Sequence, residues 1–335
     1  NVHHLNIQTQ PNLPFLAFRE VRGHVELKHL GPQRWQIDAK NMLGYLSEEQ
    51  QSFLPARFTG FFEFHSPTIL PTKVALNFSE WHLNILPKLS PYVPLPPHFL
   101  EIIQKLNPAG KFIDTIFTWE HAQKYTLKSR FEDLSFAPFG SIPGLSHLYG
   151  SIQANESDGS LTVQNKTGQA ISLNYPDFFE AILTANSLNT RVKWHFDPQQ
   201  GFELNIPNCF ISNQHAEGTM NMTYRTEKGT PGYLDLSAKL TRADGRAVHY
   251  YLPKVIAPAV RTWVKQAILG GKSNDVRFKV KGPLKDFPFV ENKNGIFEIA
   301  ALVQNGQLEF IPGWQKITDI HANLLFSGKN NYITI

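Results

Sequence analysis

Cysteine, charge and long apolar runs are all scarce in this chain of 335 residues. A single cysteine, Cys209, excludes an internal disulfide and leaves a zinc site built on cysteine pairs without its ligands. A transmembrane helix needs about 18 or more consecutive apolar residues. Lys254, Arg261 and Lys265 interrupt the longest candidate, so no membrane-spanning helix is expected.

Charged side chains amount to 18% of the residues, with a net charge of +4, and the two signs are interspersed along the chain. A protein that binds nucleic acid usually carries a clustered basic surface. Because no basic stripe is visible, nucleic acid is not an expected partner.

Motifs for catalysis and for cofactor binding are missing as well. The 13 histidines stand in no metal-ligand spacing, and neither glycine-rich phosphate loops nor a nucleophile elbow occurs. A glycosidase needs two facing carboxylates, for which Glu48, Glu49, Glu132, Asp133 and Asp235 qualify by residue type alone. We therefore expect no enzymatic activity, no specific metal and no cofactor.

The residues that are abundant favour a mainly β fold. Phenylalanine occurs 25 times, together with 23 prolines and 22 glycines, which is typical of many short strands separated by turns. Strict apolar/polar alternation predicts half-buried antiparallel strands. It recurs at Val74/Leu76/Phe78, Val192/Trp194/Phe196, Phe202/Leu204/Ile206, Met220/Met222/Tyr224, Leu234/Leu236/Ala238/Leu240, Val276/Phe278/Val280 and Phe297/Ile299/Ala301/Val303.

Helices are predicted to be few and short. Apolar residues at helical spacing follow Pro97 up to Leu106, where Asn107-Pro108 ends the pattern. A second helix is predicted from Pro258 to Leu269, with the exit at Gly270-Gly271, and a weaker pattern predicts a third from about Asp177 to Ala185.

The two clear helices lie in similar sequence contexts, which indicates an internal repeat. Each follows a Tyr-x-Pro element, at Tyr92 and Tyr251, and each precedes a Gly-Lys-x-x-Asp element and a strand. An Ile-Pro-Gly element also occurs twice, at Ile142 and Ile311. We divide the chain into a β-rich segment (1–90), a first repeat with a helical crossover (91–250) and the start of a second repeat (251–335). Two or three short helices cannot cover every alternating strand, so an apolar sheet face is left for another sheet or a ligand.

Several motifs from Tyr92 onward resemble the YhdP branch of the AsmA-like family, whereas residues 1–90 resemble it only in their general β-rich pattern. The Gly-x-Leu-x-Asp-Phe-Pro-Phe element ending at Phe289 and the Pro-Gly-Trp element ending at Trp314 are the most specific pair; one departure is Gln315, where proline is expected. The other matching positions are Tyr251-Leu-Pro, Trp263, Gly270-Gly271, Gly295 to Glu298, Ile317, Leu325-Phe326, Ile142 to Gly144, Gly150, Gly159 to Leu161, Pro176 to Phe179 and Pro231 to Leu236.

The resemblance implies a piece of a larger protein of Gram-negative bacteria that reaches across the periplasm. Its inner-membrane anchor is expected outside this chain; the C-terminal residues Tyr332, Ile333 and Ile335 read as an interrupted strand. Relatives are expected to form an elongated, twisted, open antiparallel sheet with an apolar groove and to take part in phospholipid transport toward the outer membrane. The resemblance carries over no catalytic residues.

Phospholipid acyl chains are therefore the expected ligand, held against one alternation parity of the late strands. The predicted lipid-lining residues are Leu234, Leu236, Ala238, Val276, Phe278, Val280, Phe297, Ile299 and Ala301. The opposite parity carries charges, at Asp235, Lys239, Arg277, Lys279 and Glu298. Two alternatives stay open: a structural or assembly scaffold whose sheet closes on itself, and, more remotely, a carbohydrate-active β-sandwich. The lipid's identity, the direction of transport and the protein partners stay undetermined.

The Pro312-Gly313-Trp314 element is expected to be structural. We predict a turn between two strands, with the Trp314 indole packed on the sheet, so that its removal lowers stability by a few kcal/mol.

Overall fold

Antiparallel strands form most of the chain, as predicted, in a computed structural model that describes residues 1–46, 52, 56–65, 71–120, 124–289, 294–327 and 330–334. The backbone divides into two compact units, Asn1–Leu161 (unit 1) and Thr162–Ile335 (unit 2). The division into 1–90, 91–250 and 251–335 concerns the sequence repeat and stays a prediction.

Unit 1 is a sequential antiparallel meander in which each strand pairs with the next from β1 to β8. Its strands are β1 (Val2–Ile7), β2 (Leu16–Gly31), β3 (Arg34–Leu46), β4 (Arg57–Phe64), β5 (Pro71–His82), β6 (Ala109–Glu120), β7 (Lys124–Phe136) and β8 (Gly144–Asn155). The helices α1 (Leu86–Leu89) and α2 (Pro97–Leu106) lie between β5 and β6. The unit boundary falls within β9 (Asp158–Gln164).

Unit 2 repeats the meander, with β15 pairing to both β16 and β17, and both of these pairing to β18. Its strands are β10 (Ile171–Asn174), β11 (Leu183–Ala185), β12 (Ser187–Asp197), β13 (Gly201–Ser212), β14 (Ala216–Arg225), β15 (Tyr233–Asp244), β16 (Ile268–Ser273), β17 (Val276–Pro283), β18 (Ile296–Leu308), β19 (Ile317–Ser327) and β20 (Asn330–Thr334). The helix α3 (Pro258–Ala267) precedes β16. Thus β16 and β17 together occupy one position in the sheet.

The two predicted helices are confirmed, with one shifted end. Both begin at proline, whose missing N–H costs nothing in the first turn. Helix α2 ends where Asn107 takes the left-handed conformation, with φ of 44°. Helix α3 ends at Ala267 rather than Leu269, because Ile268 pairs with Leu308 and starts β16. Gly270 and Gly271 therefore lie inside a strand.

The predicted third helix is wrong. Residues from Asp177 form turns, in which the Phe178 and Phe179 N–H groups both donate to the Tyr175 carbonyl, and Leu183–Ala185 is strand β11. Strand β11 pairs with β10, so tertiary strand pairing prevails over a weak helical pattern.

Each helical connection joins two adjacent antiparallel strands, β5 to β6 and β15 to β16. In unit 1 the connection packs against the first strands: Ile85 and Phe18 are buried together, with Leu5, Trp81 and Leu89 around them. Helices α2 and α3 thus both lie between two paired strands, and the internal repeat stays a prediction. Because α2 and α3 lie at the strand ends, they do not cover the middle of the sheet, which is left for another sheet or a ligand.

Candidate functional site

The nine predicted lipid-lining residues lie on one face of the unit 2 sheet, because the strand registers align their parities. From β15 to β17, Leu236 is opposite Val280 and Ala238 is opposite Phe278. From β17 to β18, Val280 is opposite Phe297, Phe278 is opposite Ile299, and Val276 is opposite Ala301. Leu234, at the end of the set, is opposite Gly282. Paired residues on antiparallel strands share a face, so the nine side chains form continuous rows. We call this the apolar face of unit 2.

The rows continue onto strands that the sequence reasoning did not assign to the site. On β14, Met220 is opposite Ala238 and Met222 is opposite Leu236. On β19, Phe326 is opposite Ile299 and Leu324 is opposite Ala301. The alternation of Met220 and Met222 was visible in the sequence, but only the register shows that it extends the same face.

The apolar face is half-buried rather than packed as a closed core. Of the nine predicted residues only Val280 is fully buried, at 4% exposure, and the other eight keep an intermediate exposure. In a closed β-sandwich the inner-face side chains of two sheets interdigitate and lose almost all contact with water. Most of this face is therefore accessible along the middle of its strands.

An aromatic cluster closes one end of the face. Phe289 is 2% exposed, and a Cβ atom on Gly282 or on Gly295 would lie 2.8 Å or 2.5 Å from its ring carbons. The Phe287 ring centroid is 5.3 Å from that of Phe297 and 5.8 Å from that of Phe289. The Asp-Phe-Pro-Phe element thus packs its aromatic rings on the strand ends at the β17–β18 connection, and the two glycines make room for them.

The opposite face of the same strands carries charged side chains. Asp235 accepts from Lys281 at 2.7 Å, and this hydrogen bond raises the pKa of the Lys281 ammonium above its usual value. Lys239 is opposite Arg277, and Lys279 is opposite Glu298, on the parity predicted to be wet. The sheet of unit 2 is therefore amphipathic, with ionised groups kept away from the apolar face.

Unit 1 has a comparable apolar face that the sequence reasoning did not list as a site. One row runs from Leu27 through Ile37, Gly60, Leu76 and Phe117 to Leu127. Leu27 is 59% exposed, whereas the members of this row on β5, β6 and β7 are half-buried. The signal was present in the alternation around Phe58, Phe62 and Leu76, but short apolar runs interrupted by glycine obscured it.

Two of the carboxylates considered for a glycosidase are engaged by basic side chains. Asp133 on β7 is hydrogen-bonded to His147 Nδ1 at 2.7 Å, and Asp235 pairs with a lysine on the polar face of unit 2. Glu48 and Glu49 lie outside the described residues. Among the described residues no three His, Cys, Asp or Glu side chains converge as metal ligands. Burial raises the pKa of the Cys209 thiol, which disfavours the reactive thiolate.

The Pro-Gly-Trp turn is confirmed, but the predicted packing of Trp314 on the sheet is wrong. The Trp314 N–H donates to the Ile311 carbonyl at 3.0 Å, and Gly313 has a φ of +85°, which suits a tight turn. The indole is nevertheless 65% exposed. The Trp314 side chain is therefore not packed on the strands and contributes little to the core.

Comparison with family models matches residues 1–335 to the YhdP protein family. A search of curated proteins and a search of solved structures each gave no significant match. Within the described part of the chain, no helix has the length and apolarity needed to cross a membrane.

Proposed function

The chain belongs to the YhdP family, and from this premise we propose that it holds phospholipid acyl chains on the apolar face of unit 2 and takes part in phospholipid transport between the inner and outer membranes. The observation that carries the proposal is a continuous apolar face that stays half-exposed across β14, β15, β17, β18 and β19. A soluble protein rarely leaves such a surface uncovered unless it binds something apolar. A place in the periplasm, with an inner-membrane anchor supplied by another part of the parent protein, belongs to the same proposal.

An acyl chain suits this surface energetically. Each methylene removed from water contributes roughly 0.8 kcal/mol, so several methylenes in contact with the rows suffice to retain a lipid. Successive rows offer similar side chains, namely leucine, valine, isoleucine and phenylalanine, so the bound chain can shift from row to row without a large barrier. A headgroup remains in water, because the apolar face offers no partner for a charge.

In the scaffold alternative, the same apolar face is permanently covered by protein rather than by lipid. A closed face requires almost complete burial of its side chains, whereas eight of the nine predicted residues are half-buried. That exposure supports a removable lipid cover over a permanent protein one.

A charge placed in the middle of the face tests the proposal. Phe278→Asp puts a carboxylate among Ala238, Ile299 and Phe297, where it hydrates in the lipid-free protein but opposes a bound acyl chain. We expect the fold to survive and co-purifying phospholipid, measured by native mass spectrometry, to fall by about tenfold or more.

Ser237→Asp is the matched control, because it adds the same charge to the opposite face beside Lys279. Equal lipid loss in both variants contradicts the proposal. Cooperative unfolding of Phe278→Asp under conditions where Ser237→Asp stays folded does so too, since it reveals a closed core.

A further inference from the structure

The apolar face of unit 2 ends in aromatic side chains at the strand ends away from α3. Trp194 is opposite Leu204, which is opposite Tyr224. Tyr224 is in turn opposite Leu234, so this row lies on the apolar face. Between β17 and β18 the same end is covered by the buried Phe289 ring. The aromatic margin of unit 2 consists of the aromatic residues of this row and the next pair outward: Trp194, Phe196, Phe202 and Tyr224.

Unit 1 has the same arrangement on its own apolar face. The row next to Leu76, on the side away from α1 and α2, is mainly aromatic. It consists of Trp35, Phe62, Val74, Trp119 and Tyr125. Three of the six tryptophans of the chain thus lie at the non-helical end of an apolar face. Because the two units repeat the feature, we treat it as a property of the face.

The indoles at the two margins present hydrogen-bond donors beside the apolar rows. Trp35 is 37% exposed, and Trp119 and Trp194 are half-buried. Their N–H groups make no hydrogen bond within the part of the chain that the structure describes. By contrast, the Trp263 indole of α3 donates to the Phe310 carbonyl at 3.0 Å. An indole N–H at the edge of an apolar surface suits a ligand that carries oxygen acceptors next to hydrocarbon.

The helical end of the unit 1 face is dry. Phe78 meets Trp81 edge to face with ring centroids 5.6 Å apart, and Trp81 packs on the buried Ile85. The polar groups there satisfy each other, since the buried Thr115 and Ser129 hydroxyls are 2.8 Å apart.

The helical end of the unit 2 face is dry as well. Ala322, opposite Val303 on β18, is 4% exposed, and Ala267 at the end of α3 is 1% exposed. Each face is therefore polarised along its strands, from a dry helical end to a margin with donors.

Charged side chains next to the margins belong to the opposite face, because neighbouring residues on a strand alternate. In unit 1 they form ion pairs of both signs, Arg34 with Glu63 at 3.4 Å and Lys73 with Glu120. In unit 2 the neighbours of the margin residues are Lys193, His195, Asp197, Glu203 and Arg225. The margin therefore offers neutral donors rather than a net charge, so it can distinguish the polar end of a lipid from its acyl end without selecting one headgroup.

We propose that the aromatic margin of unit 2 orients the bound phospholipid, with the ester and phosphate oxygens at the margin and the acyl ends toward α3. This inference rests on the proposed function and adds the direction in which the lipid lies. Tryptophan favours the boundary between headgroups and acyl chains, since its ring is apolar and its N–H is polar. The reverse orientation places a charged headgroup at the dry end, where its desolvation is costly.

The length of the face suits this orientation. The stretch of β15 from Leu234 to Leu240 covers about 20 Å at roughly 3.3 Å per residue. The hydrocarbon of one bilayer leaflet is about 15 Å thick, half of the whole core. An acyl chain can therefore lie along the strands between the margin and the helical end.

Two photoreactive lipids test the orientation with the purified 335-residue chain. Both are phosphatidylethanolamines, one with a diazirine on the headgroup and one with a diazirine near the end of an acyl chain. After irradiation the attachment sites are mapped by peptide mass spectrometry. We expect the headgroup probe to label the margin around Trp194 and Phe202, and the acyl probe to label the rows around Leu240 and Val303.

Trp194→Phe tests the indole donor, because it keeps an aromatic ring and removes the N–H. We expect headgroup labelling at the margin to fall about threefold, the effect of one hydrogen bond. Trp314→Phe is the matched control, since it makes the same change at an indole that is 65% exposed in a turn outside the rows. It should label as the unmodified chain does.

The reversed labelling pattern, labelling of both ends by both probes, or equal effects of Trp194→Phe and Trp314→Phe overturns the orientation and leaves the lipid-holding face in place. Labelling of neither end by either probe overturns both proposals, so the two failures are distinguishable.

Discussion

At the scale of single residues, the physical environment of an aromatic side chain decides whether it contributes to stability or to binding. Phe131 on β7 is 1% exposed and lies opposite Gly150 and Phe112, whereas Trp314 stands largely in water. The sequence pattern did not distinguish the two residues, because each is an aromatic residue within a strand or in a turn next to one. Burial depends on what the rest of the chain places above each ring.

Phe131→Ala and Trp314→Ala are accordingly expected to differ in stability. Loss of the buried Phe131 ring should lower the free energy of unfolding by roughly 3–5 kcal/mol. Loss of the exposed Trp314 indole should change it by less than about 0.5 kcal/mol. Chemical denaturation of the two variants measures both values. A large loss of unfolding free energy in Trp314→Ala would contradict the exposed position and favour the packed indole that the sequence analysis predicted.

At the scale of elements, the end of α2 shows a local signal that the sequence reasoning could use fully. Asn107 has φ of 44° and ψ of 61°, and its N–H donates to the Ile103 carbonyl at 3.0 Å. Asparagine and glycine tolerate this left-handed conformation, whereas a β-branched residue does not. The helix therefore ends at Leu106, as the sequence predicts.

Substitution at Asn107 tests this account of the helix end. Asn107→Val should lower the free energy of unfolding by about 1–3 kcal/mol, the usual cost of a strained backbone conformation. Asn107→Gly, at the same position, should stay within a few tenths of a kcal/mol of the unmodified chain. Thermal or chemical denaturation decides between them, and an equal effect of the two substitutions refutes a conformational origin.

Strand periodicity was the most informative signal among the elements. The alternating runs at Leu234, Val276 and Phe297 lie on β15, β17 and β18. Within each run the apolar side chains share one face, because side chains alternate along a strand with a period of two. The end of α3 and the short strand β11 were missed, because pairing with β18 and with β10 outweighs local preference. Long-range pairing cannot be read from a short window of sequence.

At the scale of the whole molecule, sequence supplied the fold class and the family, but not the register that joins the rows. The nine predicted residues sit together because two separate pairings, β15 with β17 and β17 with β18, agree in phase. The apolar face of unit 1 was not assigned, since Gly60 interrupts the apolar alternation on β4. The elongated outline expected for the family stays a prediction about how the two units are joined.

The central claim is that lipid lies on one face of the unit 2 sheet and not on the other. Leu236 and Ser237 are adjacent on β15 and point to opposite faces, so a photoreactive amino acid at each position samples the two faces at the same depth along the strand. Crosslinking in cells, followed by detection of attached phospholipid, is the most direct measurement. The account predicts phospholipid on position 236 and little or none on position 237. Equal labelling of both positions, or none at 236 in a protein that folds normally, would contradict it.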